Sequence, residues 1–85
     1  MTDPSNQFTS HVVESLAALS AEYRPKVLNA LVARPIKTMS VYRLLELRLA
    51  IASDLDPTLP IVADALNLID GQIVLREIAG DEHWR

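Results

Sequence analysis

Apolar residues recur at helical spacing through the least polar stretch of the chain, TLPIVADALNLIDGQIVLREIA, which covers residues 58–79. A helix over this stretch carries a continuous apolar stripe, because residues three or four positions apart share one face of a helix. The stripe consists of Val62, Leu66, Ile69 and Ile73, with Ile61, Ala65, Leu68 and Leu75 beside it. A stripe of this width has to be buried, so we predict that this helix forms the core of the fold.

The pair Asp70-Gly71 within this stretch allows a second interpretation. A glycine in mid-helix costs about 1 kcal/mol relative to alanine, and Asp-Gly between two apolar runs is a strong signal for a β-hairpin. Residues 66–69 would then pair with residues 72–75. The first arm, ALNLI, favours helix by composition, and the apolar spacing continues through the glycine. We therefore prefer a continuous or slightly kinked helix, and the alternative is a winged-helix-like α+β fold with a C-terminal hairpin.

Three further segments show helical periodicity, so the predicted fold is an all-α domain of four helices. Pro25 suits the first turn of a helix, and Pro35 cannot continue one. The apolar residues of the third segment go more than halfway round it, so we expect contacts on two of its sides. These apolar residues are Val41, Leu44, Leu45, Leu47, Leu49 and Ile51. The predicted helices cover residues 6–23, 25–34, 40–53 and 59–79.

Short polar side chains beside the predicted helix ends indicate how the ends are stabilised. Ser40 or Thr38 is suited to accept a hydrogen bond from a free amide at the start of the third helix, and Asp56 and Thr58 are suited to cap the fourth. Arg43 lies three residues before Glu46. Residues at this spacing are neighbours on a helix, so we expect an ion pair between these two side chains.

The chain has 85 residues, and we predict one domain over residues 1–85, with a loose arm at 1–5 and a short polar tail at 80–85. A domain of this size buries only roughly 60 to 65% of the surface that its unfolded chain exposes, so its stability has little margin. Apolar residues make up 49% of the chain. A second copy would bury more of them, and we expect a homodimer.

The expected location is the cytoplasm. The first residues lack the basic and apolar regions of a signal peptide, and no apolar run approaches the roughly 18 residues of a membrane span. The chain contains no cysteine, which excludes disulfides and thiolate metal sites.

Charge is distributed unevenly, although the net charge is only −3. The middle segment carries six cations against one carboxylate, and both flanks are acidic. If nucleic acid is bound, these cations would form the site, as in a winged-helix-like transcriptional regulator. They are Arg24, Lys26, Arg34, Lys37, Arg43 and Arg48. However, residues 58–70 would lie in the major groove and carry no cation, so mutual neutralisation of packed helices is the preferred interpretation.

The sequence contains little that indicates catalytic activity. His11 and His83 are the only histidines, and neither lies at metal-ligand spacing from another suitable residue. Asp54 and Asp56 begin like a calcium loop, but Pro57 and the apolar residues after it leave no further oxygen ligands at the necessary spacing. We therefore expect no enzyme activity, cofactor, metal or small-molecule substrate.

Protein binding is the function that the sequence favours. Apolar side chains that four short helices cannot cover often mark an interface, and tryptophan is common among interface anchors. The expected function is that of a small regulatory or adaptor protein. The predicted interface residues are Val62, Leu66, Ile69, Ile73, Val74 and Trp84.

Overall fold

A computed structural model describes residues 4–79, and every regular element within this range is helical. The elements are α1 (Pro4–Leu19), α2 (Pro25–Leu28) continuing into a π-helical turn (Asn29–Ala33), a 3-10 turn (Pro35–Thr38), α3 (Val41–Asp54) and α4 (Pro60–Ile78). The all-α prediction is confirmed. Helix α4 runs without a break through Asp70 and Gly71. The hairpin alternative is therefore wrong.

Helix α1 ends four residues earlier than predicted. The amide of Ser20 still bonds to the carbonyl of Leu16, but the amide of Glu22 bonds to Leu19 and closes a turn. Arg24 then adopts an extended conformation, with φ −132° and ψ 108°. The residue before a proline avoids the helical region, so the chain has to leave the helix before Pro25.

The second predicted helix, 25–34, consists of two kinds of turn. The amide of Arg34 bonds to the carbonyl of Asn29 at 3.1 Å, five residues back, which widens the helix just before Pro35. In a regular α-helix the proline ring would clash with the carbonyl four residues earlier. The wider turn relieves this clash, and the buried side chains of Leu28 and Val32 still face the core.

Two of the predicted stabilising contacts are confirmed and one needs correction. The hydroxyl of Ser40 accepts from the amide of Arg43 at 3.3 Å, and the Arg43 guanidinium donates to Glu46 at 3.1 Å. Asp56, however, does not cap α4, and neither does Thr58. The Asp56 carboxylate accepts from the amide and hydroxyl of Thr58, which lowers the pKa of Asp56 and closes the turn before the helix. Pro60 begins α4 without a side-chain cap.

Helix α4, like α3, supplies four buried apolar residues. Its buried residues meet those of α1, α3 and the segment 25–38 in one cluster. Within the described residues, no polar or charged residue is buried. The fully buried side chains of α4 are Val62, Ala65 and Ile69, with Ile61 nearly so.

Helix α3 contacts two other helices, but its apolar residues are not all covered, as the contacts predicted on two of its sides would require. Its inner face, built around Leu44, Leu47 and Ile51, is completely buried. Leu45 and Leu49 project away from the core with 49% and 67% of their surfaces exposed. Helix α3 packs against both α1 and α4, and neither of them covers Leu45 or Leu49. An apolar outer face is therefore left open.

None of the helices within residues 4–79 combines the length and the apolar character needed to cross a membrane.

Candidate protein interface

The predicted interface residues of α4 fall into three groups in the structure. Val62 and Ile69 are fully buried by the chain itself, so a partner cannot reach them in this fold. This corrects their assignment to an interface. Leu66 and Ile73 are partly buried at the edge of the core, and Val74 is half exposed. Trp84, the sixth predicted interface residue, lies outside the described residues.

The outer face of α4 is apolar as well. Leu75 is 61% exposed and Ile78 is 78% exposed. Around the helix, Leu68 lies on the same side as Leu75, and Val74 lies next to Ile78. A helix that is apolar on all sides is normally covered on all sides. The sequence places Leu68 and Leu75 beside the inner stripe, but both are exposed in the structure.

Two shallow hollows run along this outer face. The first has a volume of about 410 Å³ and is lined by Tyr23, Asp64 and Leu68 among others. The second has a volume of about 430 Å³ and is lined by Lys37, Gly71, Leu75 and others, again with Leu68. The two hollows share Asn67 and Leu68, so they lie next to each other between α4 and the segment 25–38.

The outer face of α3 forms a second apolar surface. Tyr42, Leu45, Leu49 and Ala52 are all exposed, and their spacing of three, four and three places them on one side of the helix. Large exposed apolar surfaces on a folded domain often mark sites of protein binding. The sequence showed these residues as apolar but did not show which side of α3 faces the core.

Hydrogen bonds between charged or polar side chains hold α4 in place beside both surfaces. The Arg48 guanidinium donates to Asp70 at 2.5 Å, and this contact raises the pKa of Arg48. The hydroxyl of Tyr23 donates to Asp64, and this hydrogen bond raises the pKa of Tyr23. Both bonds join residues far apart in sequence, and neither was predicted.

Half of the predicted nucleic-acid site is taken up by ion pairs. Arg24 pairs with Glu22 at 2.6 Å, and the pairs of Arg43 with Glu46 and of Arg48 with Asp70 were described above. Lys26, Arg34 and Lys37 are exposed, and none of them forms an ion pair with another described residue. The structure thus partly neutralises the basic segment.

Among the described residues, the candidates for metal or catalytic chemistry do not form a metal-ligand cluster. His11 is exposed on α1, and Asp54 is exposed at the end of α3. Asp56 forms the turn described above, and His83 lies outside the described residues. In the part of the chain that the structure describes, no three histidine or acidic side chains group as metal ligands would.

No protein-family model, curated protein or solved structure matches this chain.

Proposed function

We propose that this chain is a small, non-enzymatic regulatory or adaptor protein that acts by binding other proteins and forms a homodimer. One observation carries the proposal: two helices, α3 and α4, turn large apolar side chains outward while their inner faces already fill the core. These residues are not needed to complete the core of a single chain. A partner's surface would remove them from water.

The size of the domain supports self-association as part of this function. A single core of this size contributes limited stability, and burial of apolar surface stabilises by roughly 25 cal/mol per Å². Leu49 and Ile78 are among the most exposed apolar residues and lie on different helices. Two separate surfaces allow the chain to bind a second copy and another protein at the same time, as an adaptor does.

Light scattering across a range of concentrations, combined with binding assays against purified partners, tests the proposal. The variant L45E/L49E places charge on the α3 face, and L75E/I78E does so on the α4 face. We expect each variant to lose one interaction, either the dimer or a partner. Ala18 is exposed on α1, away from both faces, so A18E serves as the matched control and should retain both interactions.

A strictly monomeric wild-type chain whose partners bind equally well to both double variants would contradict the proposal. A gel-shift assay at two salt concentrations tests whether the chain binds nucleic acid. Binding that weakens steeply with salt, and is lost when Arg34 and Lys37 are neutralised, would favour a nucleic-acid regulator instead.

A further inference from the structure

Gly71 lies in the middle of α4, where a glycine destabilises the helix. Glycine costs about 1 kcal/mol relative to alanine inside a helix. The fold of a single chain does not require it, because a Cβ added to Gly71 would meet no atom within 4 Å. The glycine also lines the second hollow on the exposed side of the helix. A residue without a side chain at such a place lets another backbone approach closely from outside.

The residues around Gly71 form a stripe whose spacing is symmetric. Asp64, Leu68, Gly71 and Leu75 follow one another at intervals of four, three and four positions. At about 100° per residue they fall within an arc of about 60°, and they extend over about 16 Å of the helix. Because the spacing reads the same in both directions, two antiparallel copies of α4 align position for position. Leu68 of each copy then lies opposite Gly71 of the other.

Opposite charges mark the two ends of this stripe. Asp64 lies at the N-terminal end and lines the first hollow. Lys37 lines the second hollow beside Leu75, and the Arg76 guanidinium donates to the Lys37 carbonyl at 2.8 Å, which fixes this positive region at the C-terminal end. An antiparallel arrangement places Asp64 of one copy near Lys37 of the other, twice by symmetry. A parallel arrangement would bring like charges together.

We propose that a second copy of this chain docks on the outer face of α4, antiparallel, with Leu68 of each copy packed on Gly71 of the other. Such a contact is a two-fold symmetric interface, in which the same patch serves both subunits. This inference rests on the proposed function and specifies which surface makes the dimer. It leaves the α3 face for a different protein.

The α3 face is a poorer candidate for the dimer contact. Its exposed stripe also has symmetric spacing, but the charged residues next to it are already paired inside the chain. Arg43 bonds to Glu46 and Arg48 bonds to Asp70. No residue of the stripe itself lacks a side chain to admit a second backbone. The α4 face alone combines apolar surface, a close-approach position and complementary charge.

Two charge reversals, K37D and D64K, test both the surface and its orientation. In a homodimer of either variant, two like-charged pairs face each other. We expect each variant to associate at least about fivefold more weakly than the wild type, as sedimentation equilibrium would measure. In an equimolar mixture both cross-contacts are attractive again. We therefore expect a heterodimer of near wild-type affinity, identified by its mass in native mass spectrometry and weakened by salt.

The mixing step separates a docking effect from a folding defect. D64K also removes the hydrogen bond from Tyr23, but mixing cannot repair damage inside a single chain. The variant Y23F removes that bond alone and measures how much of the effect of D64K comes from its loss. If the mixture associates no better than the single variants, or if neither variant weakens the dimer, the antiparallel α4 contact is wrong.

Two further outcomes distinguish this inference from the proposed function. If L45E/L49E abolishes the dimer and L75E/I78E does not, the dimer forms through α3. The α4 inference is then overturned while the proposed function stands. If the wild-type chain is monomeric at every concentration, both the α4 contact and the homodimer are contradicted.

Discussion

Among the single residues that determine this fold, Tyr23 stands out because it connects two distant parts of the chain. It follows the end of α1, and its hydroxyl donates to Asp64 on α4, 41 positions later. The hydrogen bond stabilises the protonated phenol, and burial and the negative charge of Asp64 act in the same direction. The turn between α1 and α2 is thus attached to the helix that forms the core.

We expect Tyr23 to titrate above its ordinary pKa of 10.0. Ultraviolet absorbance of tyrosinate measures this directly in a Y42F background, where Tyr23 is the only tyrosine. The bond contributes stability below the pKa of the unfolded chain, and this contribution is lost as the pH rises through the higher folded pKa. In Y42F/D64N the phenol should titrate at lower pH than in Y42F. Equal titration in both would show that Asp64 does not bond to Tyr23 in solution.

At the scale of the element, α4 combines a continuous apolar stripe with one residue, Gly71, that disfavours a helix. Its inner stripe is apolar and continuous, and this burial keeps the helix intact through Gly71 despite the helix propensity of glycine. The π-helical turn before Pro35 shows a similar balance, since packing of Leu28 and Val32 is retained where the regular hydrogen-bond pattern fails.

Replacing Gly71 with alanine should stabilise the monomer. Nothing lies within 4 Å of the added Cβ, so the helix gains propensity without a clash. We expect the free energy of unfolding to rise by about 1 kcal/mol, measured by urea denaturation at a concentration where the chain is monomeric. The replacement A63G, on the same helix, should lower the free energy of unfolding. A destabilised G71A monomer would mean that the backbone at this position is not an unstrained helix.

The elements were predictable from local patterns, whereas the choice of buried side was not. Ser40, Pro25 and the pair Arg43 and Glu46 act on neighbours within a few residues, so the sequence reveals their roles. Leu44 and Leu45 are the same residue type, yet one is fully buried and the other half exposed. Which side of α3 faces inward depends on where α1 and α4 pack.

Because the buried side of a helix depends on packing, the sequence also did not show which residues of α4 remain available to a partner. The stripe of Val62 and Ile69 is the most regular in the chain and was assigned both to the core and to a partner, and the chain itself buries it. Leu75 and Ile78 are apolar as well, but the sequence does not show that they stay outside the core. Their exposure follows from the position of α4, whose C-terminal half is approached on this side, among the described residues, by Ala33 and the 3-10 turn at residues 35–38.

At the scale of the whole molecule, stability and association should depend on each other. A ligand that binds only the folded state raises the apparent stability, and for a homodimer the second copy is that ligand. The exposed groups on α3 and α4 contribute little to the stability of a single chain, since water still reaches them. They contribute fully only when a partner covers them.

The midpoint of thermal unfolding should therefore rise with protein concentration. A tenfold increase in concentration adds up to about 1.4 kcal/mol to the apparent stability of a dimer, a shift of several degrees for a domain of this size. In L75E/I78E we expect a midpoint that no longer depends on concentration and that equals the wild-type value at high dilution, because Leu75 and Ile78 lie outside the core. Calorimetry at several concentrations measures both quantities. A wild-type midpoint that stays constant across the range would show that folding gains nothing from a second copy.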